Sequence, residues 1–134
     1  MTCDSRVQPL LRNIVEQAKG DATILAVMLF GSTARGEQHP DSDVDICLVL
    51  EPGTYAPEVL MDTRLGYLAA FPADIQIFQQ LPIYIRQRVL KEGKVLWCRD
   101  EDALYDLAWR TVQAFDDFKP LYDRYLDEVA RDRP

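Results

Sequence analysis

One histidine, His39, and three widely separated cysteines, Cys3, Cys47 and Cys98, are all that this 134-residue chain offers in imidazole and thiol ligands. An odd number of cysteines without C-x-x-C spacing fits neither a disulfide framework nor a zinc site. The thiols read as reduced, in a cytoplasmic protein. Long apolar runs are missing too. The longest, Ile24 to Phe30, is far short of the ~20 residues of a membrane span. The first residues lack the basic-then-apolar pattern of a signal peptide. Basic residues are in deficit, 15 against 22 acidic, for a net charge of −7. An acidic body repels a phosphate backbone, which speaks against direct nucleic-acid binding. Residues 101–134 hold −4 of that charge, so the C-terminal end is a candidate face for a basic partner, against the plainer reading of a solvated helix surface. Repeats, low-complexity segments and long linkers are absent.

What is present suffices for a core. The chain is 48% hydrophobic and 28% charged, an ordinary globular balance, and its length fits one domain, residues 1–134. Leu10, Leu11, Ile14, Val15 and Ala18 recur at helical spacing within Ser5 to Gly20, with Pro9 tolerable only in the first turn. Thr23 to Phe30 is short and continuously apolar, the pattern of a buried strand. A possible helical turn at Ser32 to Gly36 leads through a polar loop to a second strand, Asp43 to Leu50, which Glu51-Pro52-Gly53 closes. Tyr55 to Phe71 reads as a helix with Val59, Leu60, Leu65, Leu68 and Ala69 on one face. Ala73 to Phe78 alternates like a strand, Pro82 to Glu92 is helical and Lys94 to Cys98 is a short strand. From Glu101 apolar residues again recur at helical spacing, and Pro120 is expected to kink or split that helix. The order describes a mixed α/β domain (α+β): a small mixed sheet flanked by helices, with a core over about 5–98 and a C-terminal helical segment over about 101–131.

The chemistry concentrates between Leu29 and Asp45. On a strand, residues i and i+2 share a face, so Asp43 and Asp45 project together while Val44, Ile46, Leu48 and Leu50 point the other way. Paired carboxylates repel, and a divalent cation relieves the repulsion. Asp74 offers a third acid at a similar position on a strand that can lie alongside. Three such acids can hold two metal ions about 4 Å apart, the arrangement suited to in-line displacement at phosphorus. Gly31 lets a phosphate approach the backbone, Ser32 adds a hydroxyl, and Arg35 is a forked donor one turn on. Gly36 permits a positive-φ turn. Asp41 reads as a turn cap and His39 as an exposed loop residue.

Gly31-Ser32-x-Ala34-Arg35-Gly36, five residues, then Ser42-Asp43-x-Asp45 resembles the nucleotidyltransferase motif of the DNA polymerase beta superfamily. The short length and the continuation from Leu81-Pro82 to Glu92-Gly93-Lys94-Val95-Leu96 resemble the minimal nucleotidyltransferases of the MNT/MntA type. These are antitoxins paired with HEPN-domain toxins. The resemblance spans about residues 5–130. It implies the nucleotidyltransferase fold and Mg²⁺-dependent transfer of AMP from ATP to a tyrosine hydroxyl of a HEPN ribonuclease toxin. It also implies a hetero-oligomer with that toxin. By matching position, Gly31 and Ser32 bind the triphosphate, with Arg35 and Ser42 beside them. Asp43, Asp45 and Asp74 hold two Mg²⁺ ions, and Asp74 also helps deprotonate the acceptor.

Two other classes compete. A non-catalytic module could silence a toxin by binding alone, which the C-terminal aromatics Tyr105, Trp109, Phe115, Phe118, Tyr122 and Tyr125 motivate. That stripe reads first as core and second as interface. A small-molecule nucleotidyltransferase is the third reading, disfavoured because so short a chain leaves little room for an acceptor domain.

Overall fold

The computed structural model describes residues 7–31 and 44–131, with the side chains of residues 7, 122 and 131 outside that description. Ser32, Arg35, Ser42 and Asp43, together with Ala34, Gly36, His39 and Asp41, therefore lie outside the described residues.

The first helix, α1 (Val7–Lys19), carries Pro9 in its opening turn, where a missing N–H costs nothing. It buries Leu11, Ile14 and Ala18. Strand β1 (Ile24–Phe30) follows, then β2 (Asp45–Leu50), α2 (Pro57–Ala70) and β3 (Asp74–Ile77). A single 3₁₀ turn (Phe78–Gln80), α3 (Ile83–Glu92), β4 (Lys94–Cys98) and α4 (Glu101–Arg131) complete the order.

The four strands form one mixed sheet in the order β3-β2-β1-β4. β1 lies antiparallel to both β2 and β4, while β2 and β3 run parallel. Strand alternation divides the apolar residues between two faces. Ile46, Leu48, Leu50, Ile75 and Ile77 pack against α1 and α2. Met28, Cys47, Val49 and Phe78 pack against α3 and the first turns of α4. The continuous apolar run of β1 is explained by this sandwich: as a central strand it is covered on both sides.

Two expectations need correction. On α2, Leu60, Tyr67 and Leu68 face the core, with Phe71 just past its end, whereas Val59, Leu65 and Ala69 are exposed. The helix face turns instead on Arg64, whose Nε donates to the carbonyl of Ile75 at 2.7 Å and so fastens the edge strand β3. Of the kink or split expected at Pro120, the split does not occur: α4 runs unbroken through it to Arg131. The proline is exposed, so the carbonyl of Asp116 that loses its partner can turn to water.

Candidate active site

Strand β1 ends at Phe30, which pairs with Asp45, the first residue of β2. Gly31 then takes φ +72, in the left-handed region that glycine enters without strain. Its position against Asp45 is as close as its conformation is unusual. A Cβ built on Gly31 would collide with the Asp45 carboxylate and reach within 3.0 Å of its Cγ. Glycine is thus required here twice over, and its bare backbone lies directly against the acid.

The second acid arrives by register. Asp74 is the first residue of β3, and in the parallel β2–β3 pair it stands opposite Asp45. Neighbouring strands lie about 4.8 Å apart, and paired residues project to the same side. Ile46 and Ile75 occupy the α1/α2 face, so Asp45 and Asp74 share the opposite one. Both are half-buried. The backbone N–H of Asp74 donates to the carbonyl of Val44 at 2.9 Å. Its Oδ1 accepts from Gln76 Nε2 at 3.2 Å. These bonds hold the acid at the strand end.

Of the residues expected at the site, the structure brings together Gly31, Asp45 and Asp74. Asp43, Ser32, Arg35 and Ser42 lie outside the described residues. Among the described residues no group of three metal-ligating side chains occurs. The pair Asp45–Asp74 supplies adjacent carboxylate oxygens, the donor chemistry that suits Mg²⁺.

Beyond Gly31 opens a cleft of about 160 Å³ lined by Phe30, Gly31, Ile85, Arg88, Val89 and Glu92. Arg88 Nη2 lies 3.8 Å from Glu92 Oε2 across an exposed helical turn. No spacing in the sequence marked Arg88; only the packing of α3 beside the end of β1 places it there.

Cys47 and Cys98 are not part of this chemistry. Burial pushes the Cys47 thiol up to about 12, and burial also raises Cys98. A neutral thiol is a poor nucleophile and ligand.

Comparison with known proteins fits this geometry. The family model described as "Polymerase beta, Nucleotidyltransferase" matches residues 12–102. A "putative protein adenylyltransferase" of Methanocaldococcus jannaschii is 37% identical over 75 residues, 55% of this chain and 56% of the relative. The chain thus matches little more than half the length of that curated relative. Among solved structures, a chain of a toxin–antitoxin complex with AMP-PNP superposes with a TM-score of 0.67 at 22% identity, over 88% of this chain and 97% of that one. A chain from a complex of tri-AMPylated Shewanella oneidensis HEPN toxin with MNT antitoxin gives 0.66 at 18% identity, over 92% and 98%. At these identities the likeness is one of fold.

Proposed function

Because the chain belongs to the polymerase beta nucleotidyltransferase family, we propose that it is an adenylyltransferase of the minimal type. It moves AMP from ATP to a tyrosine hydroxyl of a HEPN-domain toxin and so acts as an antitoxin, with residues 1–134 working as one domain in the cytoplasm. The observation that carries this reading is the in-register pair Asp45–Asp74 beside the bare backbone of Gly31. Two carboxylates held side by side against a bare glycine backbone repel each other, a cost that a purely structural strand end has no reason to carry. The curated relative's name and the AMPylated toxin in one neighbouring complex support the choice of a protein acceptor.

Asp43, Asp45 and Asp74 hold Mg²⁺ in this reading. Bound there, the metal neutralises phosphate charge and lowers the pKa of the incoming hydroxyl. Gly31 admits the triphosphate to the backbone, Ser32 and Ser42 donate hydroxyl hydrogen bonds, and Arg35 adds a forked cation. Arg88, at the rim of the cleft beyond Gly31, provides a further cation within the same neighbourhood. Asp74 orients the acceptor hydroxyl and takes its proton. The hydroxyl oxygen bonds to the α-phosphorus, the bond from that phosphorus to the bridging oxygen breaks, and pyrophosphate carries the electron pair away. Positioning and charge stabilisation account for most of the acceleration.

The test is to incubate the chain with ATP, Mg²⁺ and the HEPN-domain protein of the same genome, then weigh that protein intact. Mass gained in whole adenylyl units supports transfer. Inhibition of the toxin with no mass gained supports the alternative, silencing by binding alone, which the exposed apolar residues of α4 favour.

A further inference from the structure

The last helix is longer than the body it packs on. Its 31 residues reach about 46 Å at 1.5 Å per residue. The strands beneath it have seven residues or fewer, which span at most about 23 Å. Ala103, Leu104 and Leu107 are therefore packed on the sheet. By contrast, every described side chain from Lys119 to Ala130 is exposed.

That overhang is not polar. Phe115 and Phe118 continue the buried face of α4 half-covered, and at the same helical phase come Tyr125, Leu126 and Val129, exposed by 61%, 45% and 38%. The expectation that the C-terminal aromatics are core thus fails for this stretch, and also for Tyr105 and Trp109, which are exposed. The stripe has core chemistry and no core beneath it. Past Pro120 the helix runs on for 11 residues, held by its own backbone and by continuity with the packed part of α4. Most of a helix's stability in a protein comes from packing of its apolar face, so a surface that covers this stripe would steady it.

We propose that the part of α4 beyond Phe118 is a docking strut for a protein whose matching face is apolar and rimmed by basic residues. The charge pattern selects that occupant. Asp116, Asp123 and Asp127 recur at steps of seven and four along one flank of the stripe, with Asp117 and Glu128 on the other. Lys119 lies between Asp116 and Asp123 on the first flank, and Arg124 lies as far round from the stripe as Asp127, so the acids are in excess, five against two over residues 116–130, without being cleanly separated from the bases. A second copy of this chain brings a second net charge of −7 and is disfavoured by repulsion. A basic rim meets this acidic excess instead. Naming the partner as the HEPN-domain toxin rests on the functional reading above; the surface and its chemistry do not.

Binding is measured by titration calorimetry between the full chain and the HEPN-domain protein of the same genome, without ATP or Mg²⁺, so that transfer plays no part. Sedimentation velocity follows the chain alone. Tyr125→Asp with Leu126→Asp weakens the complex by roughly 100-fold or more, as for loss of a buried anchor. Asp123→Asn with Asp127→Asn, which spares the helix, weakens it by roughly 3- to 10-fold at low salt, and the difference disappears near 0.5 M salt. Native affinity in the first variant overturns the proposal. So does the absence of a complex with the wild-type chain, a dimer of the chain alone that the first variant abolishes, or indifference to the Asp→Asn changes at low salt. A partner that binds through the stripe yet gains no adenylyl mass leaves the strut standing and removes the transfer reading.

Discussion

Asp45 and Asp74 stand opposite each other where two parallel strands begin, and the backbone of Gly31 closes against the first of them. Three separate pieces of chain meet there: the end of β1, the start of β2 and the start of β3. Only the sheet order β3-β2-β1 makes them neighbours. The α1/α2 core fixes the side on which they point, since a one-residue slip would exchange the acids with Val44, Ile46 and Ile75.

Replacing Gly31 with Ala tests how tight that meeting is. The new methyl would strike the Asp45 carboxylate, and alanine at φ +72 is strained by about 1–2 kcal/mol. The strain leaves a stable fold, but the displaced acid lowers transfer by roughly 100-fold. Circular dichroism checks the fold, and the initial rate of partner mass gain checks the activity. A folded variant with native rate would show that Gly31 has no part in positioning.

Arg99 is the staple that sequence reading missed. Its Nε donates to the carbonyl of Ile24 at 3.0 Å, and its Nη2 reaches the carbonyls of Ala18, Lys19 and Asp21 at 3.0, 3.2 and 3.0 Å. The guanidinium also lies 4.9 Å from the centre of the Trp97 ring. One side chain thereby caps the C-terminal end of α1 and ties it to β1 and β4. Arg99→Ala is expected to cost about 1–2 kcal/mol, read as a lower urea midpoint at unchanged slope. Arg99→Lys recovers little of it, because an ammonium lacks the fork.

Tyr67 shows the opposite case. It is buried, and its hydroxyl has no hydrogen-bond partner among the described residues. Removing an unsatisfied buried hydroxyl relieves its desolvation cost, so Tyr67→Phe is expected to raise stability by about 1 kcal/mol. Denaturant titration decides the sign.

Alkaline pH exposes two buried acids together. Burial pushes both Cys47 and Tyr67 up to about 12, from their ordinary values of 9.0 and 10.0. Because the folded values are raised, the neutral groups contribute their full stability below the unfolded pKa. That contribution falls as pH rises through 9 and 10 toward 12. The expected slope is up to about 1.4 kcal/mol per pH unit for each group. Cys47→Ala flattens the part that begins near pH 9, and unfolding curves across that window measure it.

Much of this was readable from local pattern. Strand β1 was legible as an unbroken apolar run, β3 as Ile75 and Ile77 alternating with Asp74 and Gln76, and Lys94–Cys98 fell within its expected bounds. Asp45 was legible because acids at alternate strand positions are costly without a role. The pairing of Asp74 with Asp45 was only half legible: each strand could be seen, but which strands are neighbours is decided by tertiary packing. The face of α2 was misjudged because apolar residues surround that helix, and a backbone-binding arginine took a core-facing position. The overhang of α4 was illegible for a different reason. Periodicity records which side of a helix is apolar, not whether anything lies beneath it.

The two carboxylates carry the proposed chemistry most directly, and the rate of adenylyl transfer to the HEPN-domain partner at saturating Mg²⁺ tests them. Asp45→Asn and Asp74→Asn each preserve shape and hydrogen-bonding capacity while removing charge. Both variants are expected to fold and to bind the partner as the native chain does, yet to lose transfer by roughly 1,000-fold or more. Transfer at the native rate by either variant would contradict the assignment of that acid to the reaction.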